Sequence, residues 1–223
     1  MSTWTLESEL CALANERDIA SALVKLGLLS PSADVFEVRT GRDWYRSGAE
    51  TYLLIFSVKQ GASEYPCVMK ACVAFGGGSL EEMFGRWLAR RLLIDELGIS
   101  TPRLFAVGGA LVVEEYIPYD LFERLSGVHG ADRLHLLASI GRAAANLVGA
   151  GFAPLSSHDW RSRGDDVVLI DYGEDLGPAN IQQESEAGLL SEIVDQIARR
   201  NIELTTDELK SLGAQYEATL ASI

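Results

Sequence analysis

Three β-patterned runs follow one another between Val35 and Phe75, and the last breaks at Gly76-Gly77-Gly78-Ser79 before a helical pattern starts at Leu80. The runs are Val35–Val38, Thr51–Lys59 and Pro66–Phe75, separated by polar turns that contain Gly41, Ser47 and Gly48 and then Gly61 to Glu64. Ser79 can cap the helix, whose apolar positions Met83, Trp87, Leu88, Leu92, Ile94 and Leu97 keep one face buried until Gly98 stops it. Two further strands are expected at Leu104–Val107 and Leu111–Glu115, followed by the connector Ile117-Pro118-Tyr119. Beyond it the chain turns helical. The spacing predicts a long helix over 131–148, a Gly-, Pro- and Ser-rich loop over 149–159, and a hairpin turn over 161–166. A strand over 167–170 follows, and two amphipathic helices over 180–200 and 206–221 close the chain. Helical spacing also covers 6–29, ended by Ser30-Pro31-Ser32. A five-stranded sheet with one embedded helix, followed by a helical region, is an α+β arrangement. It divides the chain into a helical extension over 1–30, a sheet-rich lobe over 31–118 and a reduced helical lobe over 119–223.

Length bears on how such a chain is held together. At 223 residues it can bury roughly 70% of its unfolded surface, so no metal or disulfide staple is required. The three cysteines, Cys11, Cys67 and Cys72, have no CxxC spacing, and the latter two read as reduced core residues. A net charge of −13 repels nucleic acid and anionic lipid, which excludes polyanionic partners. It leaves room for a nucleotide, whose phosphates need only a few local cations or a metal. The acid concentrates after Asp165, where it forms either an attractor for a cationic substrate or a solvated face. The start lacks a basic leader and no apolar stretch approaches 18 residues, so no membrane association and a cytoplasmic location are expected.

Two residues stand out chemically. Lys70 interrupts Cys67-Val68-Met69-Lys70-Ala71-Cys72, and a buried ammonium needs an anionic partner because its desolvation costs several kcal/mol. The next helix offers Glu81 and Glu82, of which Glu82 is favoured; the alternative is an edge lysine facing solvent. Asp171 ends the apolar run Val167–Ile170 just before Tyr172-Gly173, where a carboxylate can hold Mg²⁺ or simply open a turn.

Taken in order, Val68-Met69-Lys70, the helix with Glu82, Glu114-Glu115-Tyr116-Ile117-Pro118 and Val168-Leu169-Ile170-Asp171-Tyr172-Gly173 resemble the protein-kinase-like superfamily. Leu97-Gly98-Ile99-Ser100-Thr101-Pro102-Arg103-Leu104 is similar to the segment that leads into the fourth strand of aminoglycoside phosphotransferases. The resemblance spans roughly 35–180. It implies a two-lobed fold with ATP as cofactor and Mg²⁺, or Mn²⁺ in its place, as the metal. Lys70 would contact the α- and β-phosphates and be held by Glu82, and Asp171 would bind the metal. Backbone groups from Glu115 to Ile117 would take the adenine, with Gly48 amides and Arg42 or Arg46 covering the phosphates.

The catalytic loop departs from that pattern. Counting back from Asp171 puts His158 where the family has Asn and Ala153 where it has the base, with Asp159 one place on as a substitute metal ligand. In the other frame, His158-Asp159 is the base motif itself, with a shortened hairpin after it. The first frame keeps the hairpin length and leaves His158 as a proton acceptor or a hydrogen-bonding residue; Asp175 is a further acid near the metal position. Arg161 and Arg163 are expected to pair with Asp165 or Asp166 across the turn. Trp87 should be core, and Arg90-Arg91 and Arg199-Arg200 helix-surface charges. The implied activity is phosphoryl transfer to a small molecule or a peptide, with a protein partner or homodimer completing the short substrate lobe. The alternatives are a pseudokinase that binds nucleotide as a scaffold, and nucleotidyl transfer.

Overall fold

The computed structural model describes residues 16–39, 51–72, 79–108, 111–152, 160–172 and 186–223. The chain is mixed α+β. In order, the described elements are α1 (Glu16–Lys25), β1 (Asp34–Arg39), β2 (Thr51–Gln60), β3 (Ser63–Cys72), α2 (Leu80–Glu96), β4 (Leu104–Gly108) and β5 (Leu111–Glu115). They continue with β6 (Tyr119–Asp120), α3 (Leu121–Gly127), α4 (Gly130–Gly149), β7 (Trp160–Arg163), β8 (Asp166–Leu169), α5 (Glu186–Arg199) and α6 (Thr206–Leu220). The chain forms two compact units, one of residues 1–87 and 102–116 and the other of residues 88–101 and 117–223.

The first unit is built on a five-stranded antiparallel sheet in the order β1-β2-β3-β5-β4. Alternation along its strands sorts side chains to two faces. Leu54, Phe56 and Val58 of β2, Cys67 and Met69 of β3, and Leu111 and Val113 of β5 cluster with Ile19 and Leu23 of α1. Thus α1, expected as an extension, supplies two of the most buried side chains of this core. The opposite face carries Ile55, Val68, Lys70, Val112 and Glu114, all buried. Helix α2 begins with the expected Ser79 cap. Ser79 Oγ accepts from the Glu82 N–H at 3.2 Å, while Glu82 Oε2 accepts from the Ser79 N–H at 3.3 Å, closing a reciprocal capping box.

In the second unit α4 packs along α6 at close range. A Cβ placed on Gly141 would lie 2.5 Å from the Leu212 carbonyl oxygen, so the absence of a side chain there lets the helices approach. Gly141→Ala should therefore lower stability by about 1–3 kcal/mol through overpacking, read as a drop in the urea midpoint at unchanged slope. The same pair of helices is tied by Arg133. Its Nε donates to Glu208 Oε1 at 2.6 Å, and its Nη1 and Nη2 donate to the carbonyls of Leu125 and Glu203 at 2.9 and 2.8 Å. Glu208 also closes a capping box with Thr205 at the start of α6.

Burial raises the Glu208 carboxyl, but the Thr205 backbone hydrogen bond and then Arg133 outweigh it, leaving its pKa below the ordinary value. A carboxylate depressed in the folded state stabilises the protein above its unfolded pKa, and that contribution is lost as pH falls through the folded pKa. The stability gap between wild type and Arg133→Met, measured in urea at pH 7, should accordingly narrow as pH is taken below about 4.

A small antiparallel sheet, β6-β7-β8, completes this unit. Asp120 ends β6 and caps α3 by accepting from the N–H groups of Phe122 and Glu123 at 2.9 and 3.2 Å. The Leu169 N–H donates to the Ser100 carbonyl at 2.9 Å, anchoring β8 beside the turn that follows α2. Charged groups of the hairpin reach beyond the turn in which they were expected to pair. Arg163 Nη2 donates to the Thr101 carbonyl at 3.0 Å, and Asp165 lies 3.6 Å from Arg124. Arg91, expected as a surface charge, is instead buried at 6% exposure and donates to Asp95 and to Thr101 Oγ1, both at 3.0 Å. The α2 pattern hides this because Arg91 lies on the helix's inner stripe, where the guanidinium is retained by oxygen partners.

Candidate functional site

Lys70 lies two residues before the end of β3, the central strand of the sheet, directly opposite Leu53 of β2 and Val112 of β5. Only 7% of it is exposed. Residues two apart on a strand share a face, and Val68 lies opposite Glu114, so Glu114 is the diagonal neighbour of Lys70 on the face turned away from α1. Its Oε1 forms an ion pair with Lys70 Nζ. Glu114 is fully buried, and its Oε2 accepts no hydrogen bond among the described residues. The ammonium also lies 5.8 Å from the centroid of the Trp87 ring, within cation–π range. Trp87 and Met83 are both buried, as expected for the inner face of α2.

The partner of Lys70 is therefore Glu114 in place of Glu82. The Glu82 carboxylate is exposed and turned back to the Ser79 amide, where an acidic group at a helix start meets the unsatisfied N–H groups and the positive end of the dipole. A strand-to-strand diagonal brings Glu114 to the ammonium without leaving the sheet. In the sequence Glu114 stood in the expected strand Leu111–Glu115 and in the stretch Glu114-Glu115-Tyr116-Ile117-Pro118, with no role of its own. The signal that singles it out is period-2 alternation in Leu111–Glu115 combined with the β3–β5 register.

Glu115 ends β5. Its N–H donates to the Arg103 carbonyl at 2.8 Å, and its Oε2 accepts from the Arg103 N–H at 3.1 Å. The Tyr116 N–H donates to the Pro66 carbonyl at 2.9 Å. These two amides are thus taken up by hydrogen bonds of the first unit's sheet. Cys67, opposite Glu115, is a protonated core thiol; burial first, and then the Glu115 charge, push it up to about 12.

Asp171 follows β8 in the second unit and is half-buried. Its neighbour Tyr172 is fully buried, with its hydroxyl donating to the Leu169 carbonyl at 2.7 Å and its own carbonyl accepting from Arg90 Nη1 at 3.4 Å. The backbone on both sides of Asp171 is thus fixed. Gly48, Arg42, Arg46, His158, Asp159 and Asp175 lie outside the described residues. Among the described residues no group of three or more His, Cys, Asp and Glu side chains gathers to hold a metal.

A cavity of about 740 Å³ opens between α5 and α6, walled by Leu190, Val194, Leu209, Leu212, Tyr216 and Leu220, with Asp195 and Glu217 among its polar groups. Its described walls carry no cation able to receive phosphate, so the buried lysine remains the stronger candidate. Among the described residues no helix is long and apolar enough to cross a membrane. Compared with known proteins, the chain matches no protein-family model and no curated protein.

Proposed function

We propose that the chain is a kinase-like phosphotransferase that uses ATP and Mg²⁺, or Mn²⁺, to phosphorylate a small molecule or a peptide. The observation that carries this reading is Lys70: an ammonium kept on the central strand of a sheet by a buried carboxylate and lying against an aromatic ring. Such pairs contribute little net stability compared with apolar residues of the same volume, which directs attention to a use other than folding. Two further features support it. The five antiparallel strands and α2 follow the element order that the sequence resemblance implies, and the compact units are two in number, as the lobes of that family are.

On this reading Lys70 binds phosphate oxygens and Asp171, held at the end of β8, carries the metal. The metal, when bound, supplies neutralisation of charge on the phosphates. The residues' own work is positioning, which accounts for most of the acceleration in a loose phosphoryl-transfer transition state. A missing general base is compatible with turnover, since such a base contributes about 10²–10⁴-fold. Asp159 and His158 remain the candidates for second metal ligand and proton acceptor, and a protein partner or second copy would complete the substrate site.

The second reading is a pseudokinase, favoured by one observation: the charge of Lys70 is already neutralised by Glu114. Incubation with ATP and Mg²⁺ or Mn²⁺ distinguishes the readings. A raised melting temperature with release or transfer of the γ-phosphate supports the phosphotransferase. Stabilisation without turnover supports the scaffold, and release of pyrophosphate supports nucleotidyl transfer. No response to nucleotide with any metal removes all three.

A further inference from the structure

We propose that Glu114 is a resident competitor for Lys70, and that it sets which anions the lysine can bind by admitting polyphosphates and rejecting weaker ones. This rests on Lys70 being a phosphate ligand, as proposed above. The pair as it stands has no net charge, and both partners are buried. An anion approaching Nζ meets the carboxylate's repulsion at close range, in surroundings where charge is poorly screened. A monoanion gains too little from one ammonium to overcome this. A metal-bound triphosphate, anchored through several oxygens and a second protein group, gains enough.

Two features argue for competition over mere positioning. Glu114 Oε2 lacks a hydrogen bond among the described residues, so the carboxylate is only partly satisfied where it sits; a group retained for stability would be expected to have its acceptors filled. The Trp87 ring holds the ammonium from a different element, so Lys70 keeps a second guide when the charge on Glu114 is removed. Glu114 therefore acts as a specificity-determining residue through Lys70, without itself touching the ligand.

The experiment is calorimetric titration of the full chain with ATP and Mg²⁺, and separately with inorganic phosphate, for wild type, Glu114→Gln and Lys70→Met/Glu114→Gln. The amide is isosteric with the carboxylate but uncharged. Glu114→Gln should bind ATP·Mg²⁺ about tenfold more tightly and should gain measurable affinity for inorganic phosphate, for which wild type should show none. The double variant should lose both gains. Glu114→Met makes the same prediction and serves if the amide variant fails to fold. Wild-type binding of ATP with equal or weaker binding by the Glu114 variants overturns the inference while leaving the phosphotransferase reading intact. Binding by none of the proteins overturns both.

Discussion

Lys70→Met should destabilise the protein by about 3–5 kcal/mol and abolish its thermal response to ATP and Mg²⁺. The first effect follows from what is left behind. Glu114 is fully buried, Lys70 Nζ is its ion-pair partner, and removing the ammonium leaves an uncompensated charge inside the sheet. The second follows from the role proposed for the ammonium. The two effects can be separated, because Lys70→Met/Glu114→Leu removes both charges and fills the space with apolar atoms. Replacing a whole buried pair in this way is often neutral or stabilising. The double variant should therefore regain most of the lost stability while still failing to bind nucleotide. A double-mutant cycle in urea, with Glu114→Leu as the fourth corner, should show strong coupling between the two positions. Additive losses would place the two charges in separate environments and contradict the pairing.

On the metal-binding role proposed for its carboxylate, Asp171→Asn should lower phosphoryl transfer on the order of 10³-fold, the equivalent of several kcal/mol of lost transition-state charge stabilisation. The amide keeps the size and one acceptor oxygen but gives up the negative charge on which a hard divalent cation depends. Asp171 is half-buried, and the fixed points around it are the Tyr172 hydroxyl on Leu169 and the Arg90 contact to the Tyr172 carbonyl. The substitution leaves these groups in place. Titration of the ATP response against Mg²⁺ and Mn²⁺ reads the effect directly, with the Asp171→Asn variant requiring far higher metal than wild type. Unchanged metal dependence would remove Asp171 from the metal's ligand set.

Much of the secondary structure was legible because its causes are local. Leu111–Glu115 appears with the expected bounds, and α2 starts at the Ser79 cap, since a short β-branched apolar run and capping chemistry are both set within a few residues. The two-residue strand Tyr119–Asp120 was missed because it is too short to show a period and exists only through pairing with Ser162 and Arg161. Of the two placements the sequence allowed for Lys70, buried on an anion or at an edge facing solvent, the structure has the buried one. Its partner was sought in the helix next along the chain, whereas the anion comes from β5, a strand beyond that helix. Nothing in the local pattern of Leu111–Glu115 reveals which residue of β3 stands opposite which residue of β5, and the identity of the partner depends on that register. Arg91 was misread for a related reason: a charged residue on an amphipathic helix looks solvated until Asp95 and Thr101 are seen to enclose it.

The most direct test of the central claim is a crystal structure of the full chain with a non-hydrolysable ATP analogue and Mn²⁺, whose anomalous signal fixes the metal. The account predicts Lys70 Nζ drawn off Glu114 onto a phosphate oxygen, and an Asp171 carboxylate oxygen among the ligands of the metal. A nucleotide bound elsewhere, with Lys70 still held by Glu114 and Asp171 remote from the metal, would contradict it.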